Sequence, residues 1–168
     1  MLTGIDLAGF RNYSRLELSF YRGANRFVDA NGQGKTNLLE AVFFLAYLRS
    51  FRTASLRDLC GAGESSFRIA GEIRGEPPHG WTRRIGVVYG EKRQLRVDDN
   101  PVRTAGEFIG QFRVVAFTPD DLRLVQGPAP LRRRFLDMVL ATANPVHLHA
   151  LQEYAAALKA RNGALRNS

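Results

Sequence analysis

Phe27-Val28-Asp29-Ala30-Asn31-Gly32-Gln33-Gly34-Lys35-Thr36-Asn37-Leu38-Leu39-Glu40 reads as a buried strand, a glycine turn and a helix start, in that order. A backbone that turns this way into a helix aims successive N–H groups at one spot, where the helix dipole also favours negative charge. Gly32 and Gly34 lack a Cβ and let the turn close tightly. Lys35 adds a point charge for the outer phosphates of a ligand, and Thr36 offers a hydroxyl to Mg²⁺. The candidate phosphate cradle therefore comprises Asp29, Ala30, Asn31, Gly32, Gln33, Gly34, Lys35 and Thr36.

The cradle departs from the strict pattern G-x-x-x-x-G-K-[ST] at one position, where Asp29 stands in place of the leading glycine. A carboxylate roughly 5 Å from a phosphate charge is repelled by about 3 kcal/mol at an effective dielectric of about 20. That corresponds to about a hundredfold in affinity. Asp also tolerates left-handed backbone angles, so the alternative is a loop of unchanged shape with the side chain turned away.

The flanks place the cradle in a layered α/β domain. Upstream, Leu2, Ile5, Leu7 and Phe10 mark one strand, Leu16-Glu17-Leu18-Ser19-Phe20 alternates as a second, and Asn25-Arg26-Phe27-Val28 leads into the loop as a third. Downstream, residues 38–48 predict a helix that is apolar almost all round. A polar connection beginning at Arg49-Ser50-Phe51-Arg52-Thr53 follows, then strands near 67–73, 81–89 and 94–97. The loop Gly75-Glu76-Pro77-Pro78-His79-Gly80 separates the first two, and the turn Asp98-Asp99-Asn100-Pro101 closes the last. These three strands predict an antiparallel meander.

Val114-Val115-Ala116-Phe117 reads as a fully apolar strand, and Thr118-Pro119-Asp120-Asp121 as a helix start with a cap, a proline and acids in the first turn. The alternative, a Mg²⁺-holding Walker B element, needs its carboxylate at the very end of the strand. Here Thr118 and Pro119 intervene, so geometry favours capping. From Gly127 onward the chain is helical. Leu131, Phe135, Met138 and Val139 share a face opposite Arg132, Arg133 and Arg134, and Asn144-Pro145 starts a second helix. In it Leu151, Leu158 and Leu165 recur every seven residues, a seam for a partner helix. His147 and His149, two apart on a helix, point to different sides and make a poor metal pair.

The 168 residues suffice for one hydrophobic core, and the formal charge of +8 suits a polyanionic partner, although a solvated face of scattered arginines produces the same balance. Cys60 is the single cysteine, which excludes a disulfide framework and predicts a cytoplasmic setting. No apolar run reaches membrane-spanning length, so no membrane partner is expected.

Five segments in order resemble the N-terminal half of RecF: Gly9-Phe10-Arg11-Asn12-Tyr13, the run from Asn31 to Ala41, Arg49-Ser50-Phe51-Arg52-Thr53, Phe117-Thr118-Pro119-Asp120-Asp121-Leu122, and Arg133-Arg134-Phe135-Leu136-Asp137. The resemblance implies a P-loop ATPase head of the ABC/SMC type, its mixed sheet carrying the antiparallel meander, over residues 1–127, and the beginning of a helical arm over 128–168. It implies ATP and Mg²⁺ as cofactors, binding of duplex DNA near single-strand gaps, a homodimer closing over two ATP molecules, and cooperation with RecO and RecR in loading RecA. Carried over by position, Lys35 serves the phosphates and Thr36 the Mg²⁺. Arg52 lies where SMC-like heads place an arginine loop and is expected to face phosphates or DNA, and Arg133 and Arg134 are candidate DNA contacts. The family's signature motif and Walker B carboxylates are expected beyond residue 168. A chain holding only the cradle is expected to bind triphosphate without appreciable turnover. The alternative is a degenerate, non-catalytic module that binds DNA or partners.

Overall fold

The computed structural model describes residues 1–76, 80–118, 121 and 123–166, with backbone alone for Arg123 and Thr142. It forms two compact units, Met1–Val114 and Val115–Ser168.

The first unit is a six-stranded sheet with one long helix against it. Strands β1 (Leu2–Phe10) and β2 (Tyr13–Ser19) form a hairpin, helix α1 (Lys35–Tyr47) follows, and β3 (Phe67–Arg74), β4 (Thr82–Tyr89), β5 (Gln94–Val97) and β6 (Asn100–Val102) complete the sheet. The order is β2-β1-β3-β4-β5-β6, and every ladder among the described residues is antiparallel. Register keeps the apolar residues on one face: Leu7 stands opposite Ile69, which stands opposite Val87. Leu38, Ala41, Phe44 and Leu45 of α1 and Leu48 at its C-cap join Ile5, Leu7, Phe10, Phe67, Ile69, Ile85 and Val87 in one core. Phe67 is its hub, stacking on Tyr89 and meeting Phe10 and Phe44 edge-on. Phe43 turns to the other side of α1, against Tyr47 and Phe51. This two-sided burial accounts for the nearly continuous apolar sequence of the helix.

Two predicted strands are absent. Residues 25–28 form no ladder, and Val28 is 75% exposed. Residues 114–117 form none either, with Val115 98% and Phe117 84% exposed. An apolar run expresses a demand for burial, but a strand exists only when a neighbour supplies its N–H and C=O partners. No described strand does so for these segments.

One strand was missed. Asp98 and Asp99 both adopt positive φ (50° and 63°), and this tight turn folds Asn100–Val102 back as β6. Pro101 is tolerated there because β6 is the edge of the described sheet. A short helix, α2 (Ala105–Phe108), follows, capped by the Thr104 hydroxyl on the Glu107 N–H, and seats Phe108 in the core.

The second unit contains α3 (Arg123–Gln126), α4 (Ala129–Ala143) and α5 (Pro145–Arg166). Asn144 ends α4 and begins α5: its N–H donates to the Leu140 carbonyl, and its side-chain oxygen accepts from the Val146 N–H at 2.9 Å. Pro145 follows as the first helical residue, as the sequence predicts. On α5, Leu151 and Leu158 are half-buried but Leu165 is 66% exposed, so the seven-residue seam is only partly covered. Asp121 accepts from both the hydroxyl (3.0 Å) and the backbone N–H of Thr118, while its own N–H donates to the Thr118 carbonyl at 3.0 Å. This is a local capping arrangement with the acid reaching back. The rest of that motif, Pro119, Asp120 and Leu122, and Pro77, Pro78 and His79 of the β3–β4 loop, lie outside the described residues.

Candidate nucleotide-binding site

Gly34 is the N-cap of α1, with φ of 104°, no side-chain cap and no acid in the first helical turn. The positive end of the helix is thus left without the neutralising group that helix starts commonly carry. Gly32 also has positive φ, 86°. Gly34 has a second reason to be glycine. A Cβ built on it stands 2.6 and 2.8 Å from the amide atoms of Asn12 and 2.8 Å from the Tyr13 hydroxyl. Those two side chains come from the β1–β2 turn and clasp the loop: Asn12 Nδ2 donates to the Gln33 carbonyl at 3.2 Å, and the Tyr13 hydroxyl to the Gly34 carbonyl at 3.0 Å. Burial, and secondarily the charge of Asp29, raise the Tyr13 pKa above its ordinary value.

Lys35 lies back across the loop, its Nζ donating to the carbonyls of Asp29 (2.6 Å) and Ala30 (2.8 Å). The Asp29 carboxylate accepts the Ala30 N–H at 2.7 Å. Asp29 is therefore committed to its own loop, and it occupies an N–H donor of the kind a phosphate uses. Thr36 is exposed, and its hydroxyl makes no hydrogen bond among the described residues. The set fits a nucleotide phosphate chain with Mg²⁺: an uncapped helix end, a glycine at 34 where a Cβ would displace the Asn12 and Tyr13 side chains, an adjacent ammonium and an unengaged hydroxyl.

Beneath the loop lies a charged cluster that sequence reasoning did not assign. Glu40, on α1, is fully buried. Its carboxylate receives Arg11 Nε at 2.9 Å and Nη2 at 2.8 Å, the Ser50 hydroxyl, and Arg52 Nη1 at 3.3 Å. Arg52 Nη1 also donates to Asn37 Oδ1 at 2.7 Å, and Asn37 Nδ2 to Asn12 Oδ1 at 2.7 Å. The signal available in the sequence was Glu40 itself, a lone acid in a helix apolar almost all round, which demands a buried partner. Arg52 thus stands beside the first turn of α1, its side chain 44% exposed. Arg133 and Arg134 are exposed on α4 and belong to the second unit. Their neighbour Arg132 instead donates to the Gly127 carbonyl at 2.7 Å.

The sheet with a helix packed on it gives the chain the α/β fold of part of an ABC/SMC-type ATPase head. An SMC ATPase structure superposes with a TM-score of 0.62 over 80% of this chain at 21% identity. In sequence and fold together, the chain is similar to the N-terminal half of RecF. The DNA replication and repair protein RecF of Acidothermus cellulolyticus is 41% identical over 169 residues, covering 98% of this chain, and that of Enterococcus faecalis is 35% identical over 165. The structure of the recombination mediator protein RecF with ATP superposes with a TM-score of 0.90 at 30% identity over 99% of this chain. The chain spans about 44% of the length of these RecF relatives. No family model matches it.

Proposed function

We propose that this chain is the ATP-binding half of a RecF-type DNA replication and repair protein. The observation that carries the reading is the loop from Asp29 to Thr36, clasped by Asn12 and Tyr13 and ending in an uncapped helix start. Gly32 and Gly34 let the loop amides converge on an anion, Lys35 exchanges two loop carbonyls for phosphate oxygens, and Thr36 supplies a hydroxyl ligand for Mg²⁺. Mg²⁺, when bound, neutralises charge on the phosphate oxygens. Arg52, exposed beside Asn37, is placed for a further anion, on the nucleotide or on DNA. The likeness to RecF supports duplex DNA near single-strand gaps, RecO and RecR as partners, homodimerisation and support of RecA loading as the setting of the whole protein.

One observation favours a second reading, a non-catalytic module for DNA or partners. Lys35 and the Ala30 N–H are both engaged within the loop, so an incoming phosphate must displace the lysine's two carbonyl contacts and compete with the Asp29 carboxylate. Isothermal titration of the 168-residue chain with Mg²⁺–ATP separates the two. ATP-binding predicts saturable heat that Lys35→Ala abolishes. Equal, negligible heat from both proteins selects the module.

A further inference from the structure

Arg52 is a donor-only group, and the backbone carbonyl of Gln33 is acceptor-only. Between them lie two side-chain amides, each able to donate and accept. Arg52 Nη1 donates to Asn37 Oδ1, Asn37 Nδ2 donates to Asn12 Oδ1, and Asn12 Nδ2 donates to the Gln33 carbonyl. The two ends fix the orientation of both amides, since flipping either one sets donor against donor or acceptor against acceptor. Hydrogen bonds aligned head to tail polarise one another.

The chain of contacts also closes on itself. The Arg52 N–H donates to the Ser50 hydroxyl oxygen at 2.8 Å, the Ser50 hydroxyl donates to Glu40, and Glu40 holds Arg11, the residue next to Asn12. Arg11 has φ of 53°, a left-handed conformation rare outside glycine and asparagine, at the tight turn where β1 passes into β2. This turn sends one side chain to the buried carboxylate and the next to the loop. Every member of the circuit is held from two sides.

We propose that Asn12 and Asn37 are positioning residues, a one-way amide relay that sets the phosphate-binding loop in register with Arg52 before any ligand arrives. The inference rests on the phosphate-loop reading above and adds to it the device that preorganises the loop. Each asparagine gives the relay one donor and one acceptor, which is what links Arg52 to the loop carbonyl.

The test is titration of the 168-residue chain with Mg²⁺–ATP, using Asn12→Ala, Asn37→Ala, Arg52→Ala, Arg52→Lys, the double variant Asn12→Ala/Arg52→Ala, and Lys35→Ala. Each alanine change in the relay is expected to weaken binding about tenfold, the order of one lost hydrogen bond. The double variant is expected to lose no more than the larger single loss, because a relay is broken only once. Arg52→Lys preserves a donor-only end and is expected to recover part of the affinity lost in Arg52→Ala. A structural contact alone moves neither the coupling nor the lysine rescue. Parent affinity in Asn12→Ala, or a double loss of about a hundredfold as the product of independent singles, overturns the relay while Lys35→Ala still reports the loop. Absence of binding by the parent chain takes both down. If Asn12→Ala fails to fold, the cycle between Asn37 and Arg52 carries the same comparison.

Discussion

Arg11 and Glu40 form a two-pronged ion pair, 2.9 Å from Nε to Oε2 and 2.8 Å from Nη2 to Oε1, with the carboxylate fully buried and the arginine side chain 19% exposed. The pair ties the β1–β2 turn to the helix that follows the glycine loop. A bidentate arginine and carboxylate combine charge with fixed geometry, which suits a contact that must hold two elements in one orientation.

Removing one partner leaves the other charge buried and incompletely matched. Arg11→Ala is therefore expected to destabilise the first unit by about 3–5 kcal/mol. The contrast is Arg68, whose 2.6 Å pair with Asp6 is far more exposed, at 46% and 26% of the two side chains. Arg68→Ala is expected to cost less than about 1 kcal/mol. Urea unfolding midpoints of the two variants measure the difference, and equal costs would refute the assigned role of the buried pair.

Asp29 holds the Ala30 N–H, a donor that the proposed nucleotide site offers to phosphate. Asp29→Gly removes both the competing acceptor and the negative charge, so Mg²⁺–ATP affinity is expected to rise about tenfold or more. Asp29→Asn keeps an acceptor but loses the charge and is expected to fall between. Titration calorimetry of the three proteins gives the ranking, and a reversed order removes Asp29 as a brake on the loop.

The two loop glycines are not equivalent. Both have positive φ, but a Cβ on Gly34 collides with Asn12 and Tyr13 whereas one on Gly32 meets nothing within 4 Å. Gly32→Ala is expected to cost about 1 kcal/mol from backbone strain alone. Gly34→Ala adds displacement of the clasp and is expected to cost about 2–3 kcal/mol. Thermal unfolding of the apo variants tests the order, which identical melting temperatures would contradict.

Tyr13 stays protonated beyond its usual pKa of 10.0, chiefly through burial and then through Asp29. Below pH 10 the folded and unfolded chains both keep this proton, so its contribution to stability is complete. Above that the unfolded phenol ionises first, and stability falls as pH rises through the raised folded value. The urea midpoint is expected to drop as pH rises above about 10, and less steeply in Tyr13→Phe. A slope unchanged by the substitution would locate the effect elsewhere.

If the arginine-rich charge of +8 serves a nucleic acid, duplex affinity is expected to fall steeply between about 50 and 200 mM salt, by about 10³ or more for an interface of six phosphates. Fluorescence anisotropy with a labelled duplex reads the slope. A flat response excludes phosphate contact as the source of affinity.

The run from Gly32 to Glu40, by itself, determined the glycine turn, the lysine and the buried helix, because backbone freedom at glycine and the period of apolar side chains are local properties. The meander was legible for the same reason, through its alternation. Residues 25–28 and 114–117 read equally well as strands and are not, since a ladder depends on a neighbour that apolarity cannot specify. Tertiary structure alone decided that Asn12 and Tyr13 clasp Gly34, that Asp29 turns its carboxylate onto the Ala30 N–H, and that Glu40 gathers Arg11, Ser50 and Arg52. Those contacts join residues as many as 29 positions apart. Burial strips such groups of water and makes each find a partner, and which partner is within reach is settled only when the sheet and helix pack.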